Sequence, residues 1–240
     1  MKQKSRRSWL IVPASRPAQV DEARRAGADV VVLDLYEFVL ERDRAAAREA
    51  ARSAIERARS GGAQVFAQID PSALEADLPA AVWPGLAGVI VSRAETPQQI
   101  SAVSSALDRL ERERGIAAGS VEIVVALETA QGNHAAYEVL SASPRVTGAT
   151  LGRADLVMDL RPEPSGEIHL MSYLMQRLVI VARAAGVTPL GAWWREPDRG
   201  LLATPENTHA AAERGRAIGF KGAMCIRRGQ VDALNRGFAA

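Results

Sequence analysis

The stretch VEIVVALETAQG (121–132), followed after a short connection by SPRVTGATLGRADLVMDL (143–160), decides the reading of this chain. After Glu122 the first piece runs IVVAL without polar alternation, as a strand covered on both faces does. It ends at Glu128, and Thr129, Ala130, Gln131 and Gly132 follow. VTGATLG reads as the next strand, with Asp155 just past its end. Two neighbouring strands of a parallel barrel bring such carboxylates to one rim. Glu128 and Asp155 are therefore the candidate ligands of a Mg²⁺ or Mn²⁺ ion.

The same alternation extends in both directions. Further strands are predicted at 9–13, 30–33, 65–69, 88–91, 187–190 and 222–226, besides 122–127 and 146–151. Helices are predicted at 19–26, 41–59, around Leu74, from Thr96-Pro97 to 114, and at 135–140, 173–185, 206–218 and 230–238. Residues 161–169 read as turn-like and 191–202 as an inserted loop. Eight strand–helix units select a parallel α/β architecture, and that number favours a closed (β/α)8 TIM barrel over an open sheet. No GxGxxG turn follows the first strand, which argues against a dinucleotide fold.

Length and composition agree. One barrel needs roughly 250 residues, and the chain has 240, so a single domain over 1–240 is expected. Lys plus Arg number 30 against 28 Asp plus Glu. The one basic cluster, Lys2, Lys4, Arg6 and Arg7, reads as a solvated terminus ahead of a phosphate contact. No recognition-helix motif accompanies it, so no nucleic-acid partner is expected. A lone cysteine, Cys225, excludes an intrachain disulfide. Its place in a predicted buried strand favours a core thiol over a nucleophile. WLIV before Pro13 is too short for a leader or a membrane span, so a soluble cytoplasmic chain without a membrane partner is expected.

Eight pieces, in this order and spacing, resemble the citrate lyase beta-subunit-like branch of the HpcH/HpaI aldolase superfamily. They are RSWLIVPASRP (7–17), GADVVVLDL (27–35), AAREA (46–50), ALETAQG (126–132), SPRV (143–146), LGRADLVMDL (151–160), VIVARAAGV (179–187) and the tail from 211 through IGFKGAMCI to Val231, Asn235 and Phe238. The resemblance implies a metal-dependent carbon–carbon lyase, or its Claisen-type reverse. The substrates implied are small carboxylates: 2-oxo or hydroxy acids, or acyl-CoA thioesters. It implies a homo-oligomer, a trimer or hexamer, and it places the family's metal carboxylates on Glu128 and Asp155.

Around that pair the chain departs from the family. The loop carboxylates after strand two fall on Tyr36 and Glu37, and the arginine at the end of strand three falls on Gln68. A proline–lysine pair becomes Ser92-Arg93, the residues before the metal Asp become Arg153 and Ala154, and a His-Pro becomes Arg227-Arg228. A guanidinium and an amide are not equivalent before an anion. The family's C-terminal lid segment is expected to be absent.

The residue types suggest a chemistry. A divalent ion on Glu128 and Asp155 polarises a carbonyl and stabilises an enolate. Glu37 is the candidate base, Arg153 a candidate catalytic cation, and Arg16, Gln68, Arg93 and Gly132 the candidate substrate contacts. Asp34 reads as a structural cap. Each assignment has a plainer rival. Glu128 is a rim carboxylate paired with Arg153, Asp155 is a helix N-cap, Glu37 and Arg16 lie on the surface, and Gly132 serves a turn. His134 reads as helix surface, and Trp193-Trp194 as pocket lining or an interface. Three functions stay open: the lyase, a non-catalytic homologue that binds a metabolite or protein, and a thioesterase or decarboxylase on the same metal site.

Overall fold

The computed structural model describes residues 5–162, 164–192 and 204–239. Eight parallel strands succeed one another: β1 (Ser8–Pro13), β2 (Val30–Asp34), β3 (Gln64–Ile69), β4 (Gly88–Val91), β5 (Glu122–Leu127), β6 (Val146–Leu151), β7 (Thr188–Leu190) and β8 (Ala223–Cys225). The order is β7-β6-β5-β4-β3-β2-β1-β8. Two main-chain hydrogen bonds bring the ends together: Lys221 NH donates to Pro189 O at 3.0 Å, and Gly191 NH to Gly222 O at 2.7 Å. The sheet thereby closes as the expected (β/α)8 barrel.

The helices are α1 (Pro17–Arg24), α2 (Arg44–Arg59), α3 (Leu74–Ala81), α4 (Pro97–Glu113), α5 (Ala130–His134), α6 (Ala136–Leu140), α7 (Arg153–Leu160), α8 (Pro164–Ala185), α9 (Pro205–Ile218) and α10 (Val231–Gly237). The expected start of α4 is present in full: Thr96 accepts from Gln99 NH, and the Gln99 side chain accepts from Thr96 NH.

The strands bury both faces. Trp9, Ile11, Val30, Val32, Phe66, Ile90, Val124, Ala126 and Leu190 fill the barrel. The intervening Leu10, Val31, Leu33, Val65, Val89 and Val125 pack outward against the helices.

Three sequence expectations need correction. Residues 161–169 are not a turn throughout, because α8 begins at Pro164. Proline suits the first turn of a helix, and Met171, Leu174, Leu178 and Ala182 put a buried stripe on α8 at helical spacing. Residues 130–134, where no helix is predicted, form the short helix α5, and the helix predicted at 135–140 follows as α6 after Ala135. Asp155 is not an N-cap: Gly152 caps α7, and Asp155 lies in its first turn.

Candidate active site

Five consecutive strands bring the candidate residues to one rim. The columns that fill the barrel turn polar at their last step: Val30 and Val32 lead to Asp34, Phe66 to Gln68, Ile90 to Ser92, and Val124 and Ala126 to Glu128. Alternation along a strand gives each polar residue the direction of its apolar predecessors. All four are buried.

Asp34 shapes the first loop. It accepts from the NH groups of Tyr36 (2.9 Å), Glu37 (2.9 Å) and Phe38 (2.7 Å). Burial pushes its carboxyl up, outweighing those three bonds. The loop it ties down presents Glu37, whose Oε2 accepts from Gln68 Nε2 at 2.6 Å. Gln68 Nε2 also donates to Ser92 Oγ at 3.0 Å. Desolvation raises the Glu37 carboxyl, although the residue as a whole is exposed, as its surface reading expects. The Gln68 bond opposes that rise, and the charges of Asp34 and Asp155 add to it.

Glu128 is the most perturbed carboxylate at this rim. Burial first, then the charges of Glu37 and Asp155, push it up to about 8 against the opposing effect of Arg93. Its Oε2 accepts from Arg93 NH at 2.7 Å. Its side chain lies against Gly152, where an added Cβ would meet Glu128 Cγ at 2.4 Å. Asp155 enters from α7, half-exposed, with Arg93 Nη1 at 3.9 Å from Oδ1.

This donor set suits a hard divalent cation. Three acids repel one another electrostatically, and a cation between them would relieve that repulsion. No group of three or more acid, His or Cys side chains placed to hold a metal occurs among the described residues. Glu128 and Asp155 would supply two carboxylates and leave the other positions to water and substrate, the pattern that Mg²⁺ tolerates.

The other predicted residues are placed as follows. Arg16 is exposed in the β1–α1 loop, and its side chain has no partner among the described residues. Gly132 is buried. Its NH is taken by Thr129 Oγ1, and a Cβ there would lie 2.3 Å from Ala94 O, so the close approach it permits is to a neighbouring loop. Arg153 opens α7, but its side chain lies outside the described residues, so its pairing with Glu128 is not described. Trp193 and Trp194 lie outside them too. His134 is exposed, and Cys225 is a core thiol that burial pushes up to about 12.

Arg44 escaped the sequence reading. Its guanidinium lies 4.7 Å from the Tyr36 ring centroid and 3.7 Å from Asp70 Oδ2. Within the charged run ERDR no local signal distinguishes it. A cavity of about 500 Å³ opens at the other end of the barrel, beside Arg6, Trp9 and Lys221. Arg6 there is paired with Glu122 at 2.6 Å, so the acid that borders this cavity among the described residues is compensated, unlike those of the Glu128 rim.

Residues 7–228 match the model of the HpcH/HpaI aldolase/citrate lyase family. The chain belongs to this family. Among its relatives is the citrate lyase subunit beta-like protein of Deinococcus radiodurans, 30% identical over 240 residues, covering 97% of this chain and 79% of that one. A (3S)-malyl-CoA thioesterase of Cereibacter sphaeroides strain KD131 is 25% identical over 236 residues, covering 97% and 77%. The citrate lyase beta subunit of M. tuberculosis, solved with oxaloacetate and magnesium, superposes with a TM-score of 0.75 at 25% identity, covering 99% of this chain and 98% of that one. Another structure of the M. tuberculosis protein holds magnesium, acetoacetate and coenzyme A. Family membership thus joins a barrel with a two-carboxylate rim to relatives that bind magnesium and small carboxylates.

Proposed function

We propose that the chain is a Mg²⁺-dependent carbon–carbon lyase, working by aldol or Claisen-type cleavage or condensation on a small 2-oxo or hydroxy acid or its CoA thioester. The observation that carries this is the convergence of Glu128 and Asp155 with Glu37 at one barrel rim. The magnesium complexes of the M. tuberculosis relative support it.

In this reading Glu128 and Asp155 hold the ion, with Mn²⁺ as a substitute. The ion supplies Lewis acidity that polarises a carbonyl and stabilises an enolate. Glu37 takes the proton from the substrate. Its raised carboxyl favours that role, because a base works best when its pKa approaches the operating pH. Gln68 holds one Glu37 oxygen and so fixes the direction of the other. Arg93 and Arg16 are the cations for the substrate's carboxylate, and Arg153 is the catalytic cation. Gly132, whose missing side chain makes room for Ala94 O, shapes the substrate-binding end of β5.

A second reading, hydrolysis of an acyl-CoA thioester on the same site, draws on the thioesterase relative and the coenzyme A complex. A third, a non-catalytic metabolite- or partner-binding homologue, draws on Gln68 and Tyr36 standing where the family has an arginine and a carboxylate. We further propose a homo-oligomeric single barrel, trimer or hexamer, working in the cytoplasm. Exposed Tyr173 and Ile180, seven residues apart on one face of α8, support an assembly surface. No helix among the described residues is long and apolar enough to cross a membrane.

The test is solvent deuterium exchange into pyruvate, oxaloacetate and acetyl-CoA, read by NMR with Mg²⁺ or with chelator, for wild type and Glu128→Gln. Metal-dependent exchange that the variant loses supports enolate chemistry and names the donor half of the substrate. Folded, metal-loaded protein that exchanges none of the three refutes the lyase. Product analysis with acyl-CoA separates hydrolysis from cleavage.

A further inference from the structure

Gln68 is 2% exposed, and its Nε2 donates to both Glu37 and Ser92. Its Oε1 is buried and has no hydrogen-bond partner among the described residues. Turning the amide over would not cure this, because it would set the carbonyl against the Glu37 carboxylate and forfeit the 2.6 Å bond. The protein therefore leaves an acceptor without a donor at the mouth of the barrel, on the same amide that grips Glu37. A buried carbonyl in that state is costly, and a ligand that brings a donor removes the cost.

The surroundings decide which ligand. The acceptor sits beside the Glu37 carboxylate, with Asp34 behind it. Among the described side chains the near cations are turned elsewhere: Arg44 faces Tyr36 and Asp70, and Arg93 faces Asp155. A carboxylate placed here would meet a carbonyl lone pair and a second negative charge. A hydroxyl would donate to Gln68 Oε1 and lie within reach of Glu37.

We infer that Gln68 is a specificity-determining residue which selects substrates offering a hydroxyl at this position over those offering a second carboxylate. The substrate class is a hydroxyl-bearing monocarboxylate, or its thioester, in preference to a dicarboxylate. The inference rests on the proposal that this rim is the substrate site. The hydroxyl has one proton, which goes to Gln68 Oε1, so Gln68 selects this group while Glu37 takes its proton from another position of the substrate.

The experiment is competition against pyruvate, in the presence of Mg²⁺, followed by ligand-observed NMR. The competitors are malate and 2,4-dihydroxybutanoate, which share one skeleton and differ only in a terminal carboxylate or hydroxymethyl group. Wild type is expected to prefer 2,4-dihydroxybutanoate on the order of tenfold, the worth of one satisfied buried hydrogen bond. Gln68→Arg is expected to reverse that order, since a guanidinium binds the carboxylate bidentately. Equal affinities, or a wild-type preference for malate, overturn the inference, and this needs no variant to fold. Failure of pyruvate itself to bind with Mg²⁺ overturns the underlying site assignment, so the two failures are distinguishable.

Discussion

The main-chain NH of Arg93 donates to Glu128 Oε2 at 2.7 Å from a residue whose own φ is +48°. A left-handed conformation costs a non-glycine residue about 1–2 kcal/mol, and such strain persists where the surroundings over-determine it. The turn after β4 thus trades backbone comfort for a donor aimed at a buried carboxylate. Arg93→Gly keeps the NH and releases the strain, whereas Arg93→Ala keeps the strain. The glycine variant is expected to be about 1 kcal/mol more stable than the alanine variant, after allowing for the greater freedom of unfolded glycine. Paired urea titrations measure the difference. Both variants should bind pyruvate more weakly than wild type does.

Gly152 leaves room for the Glu128 side chain. A Cβ there would approach Cγ to 2.4 Å, Oε1 to 2.7 Å and Cδ to 2.9 Å. Gly152→Ala must therefore displace the carboxylate. The fold should persist, with a cost of about 1–3 kcal/mol as for other overpacked sites. Mg²⁺ affinity should fall by at least about tenfold, the scale on which small misplacements near a metal act. Isothermal titration with Mg²⁺, beside a circular dichroism melt, separates the two effects.

Removal of metal has a thermodynamic signature. An ion that binds only the folded state stabilises it by about 2.7 kcal/mol at a hundredfold excess over Kd. For a chain of this size that raises Tm by roughly 2–4 °C for each kcal/mol. Wild type should melt higher in Mg²⁺ than in chelator. Glu128→Gln should melt at the same temperature in both, and a shift that survives this substitution would place the ion elsewhere.

Away from the rim, Glu111 on α4 and Arg145 before β6 form a buried ion pair at 2.6 Å. Burial alone would raise the Glu111 carboxyl, but its bonds to Arg145 and to the NH groups of Val121 and Gly119 outweigh burial and hold it below the usual range. A carboxyl lowered by folding stabilises the protein in full above its unfolded pKa. That contribution is lost as the pH falls through its folded value. Wild type should lose urea resistance on acidification, and Glu111→Gln should lose less over the same range. Arg145→Ala, which strands the buried acid, should cost about 3–5 kcal/mol near neutral pH.

Strand positions were legible because a strand buried on both faces must be continuously apolar. Strands β4, β5 and β6 fall where their apolar runs end. The start of α4 was legible from Thr96-Pro97, since capping is a local interaction. The start of α8 was not. Its first turn carries proline, glycine and a charge, and only packing of Met171 and Leu174 against α7 makes those residues helical. Arg44 was missed for the same reason: its partners Tyr36 and Asp70 lie on other loops.

The sequence by itself determined the eightfold alternation, the family and the placing of Glu128 and Asp155 just past the ends of two neighbouring strands, because periodicity and local order are properties of neighbouring residues. Only the tertiary structure decided that Asp34 is spent on three main-chain NH groups while Glu37 is presented, and that Gly132 accommodates Ala94. It alone decided that Gln68 grips Glu37 with one end of its amide and leaves the other end unsatisfied. Hydrogen-bond partners and desolvation depend on which distant loops the closed barrel brings together, and no local pattern encodes them.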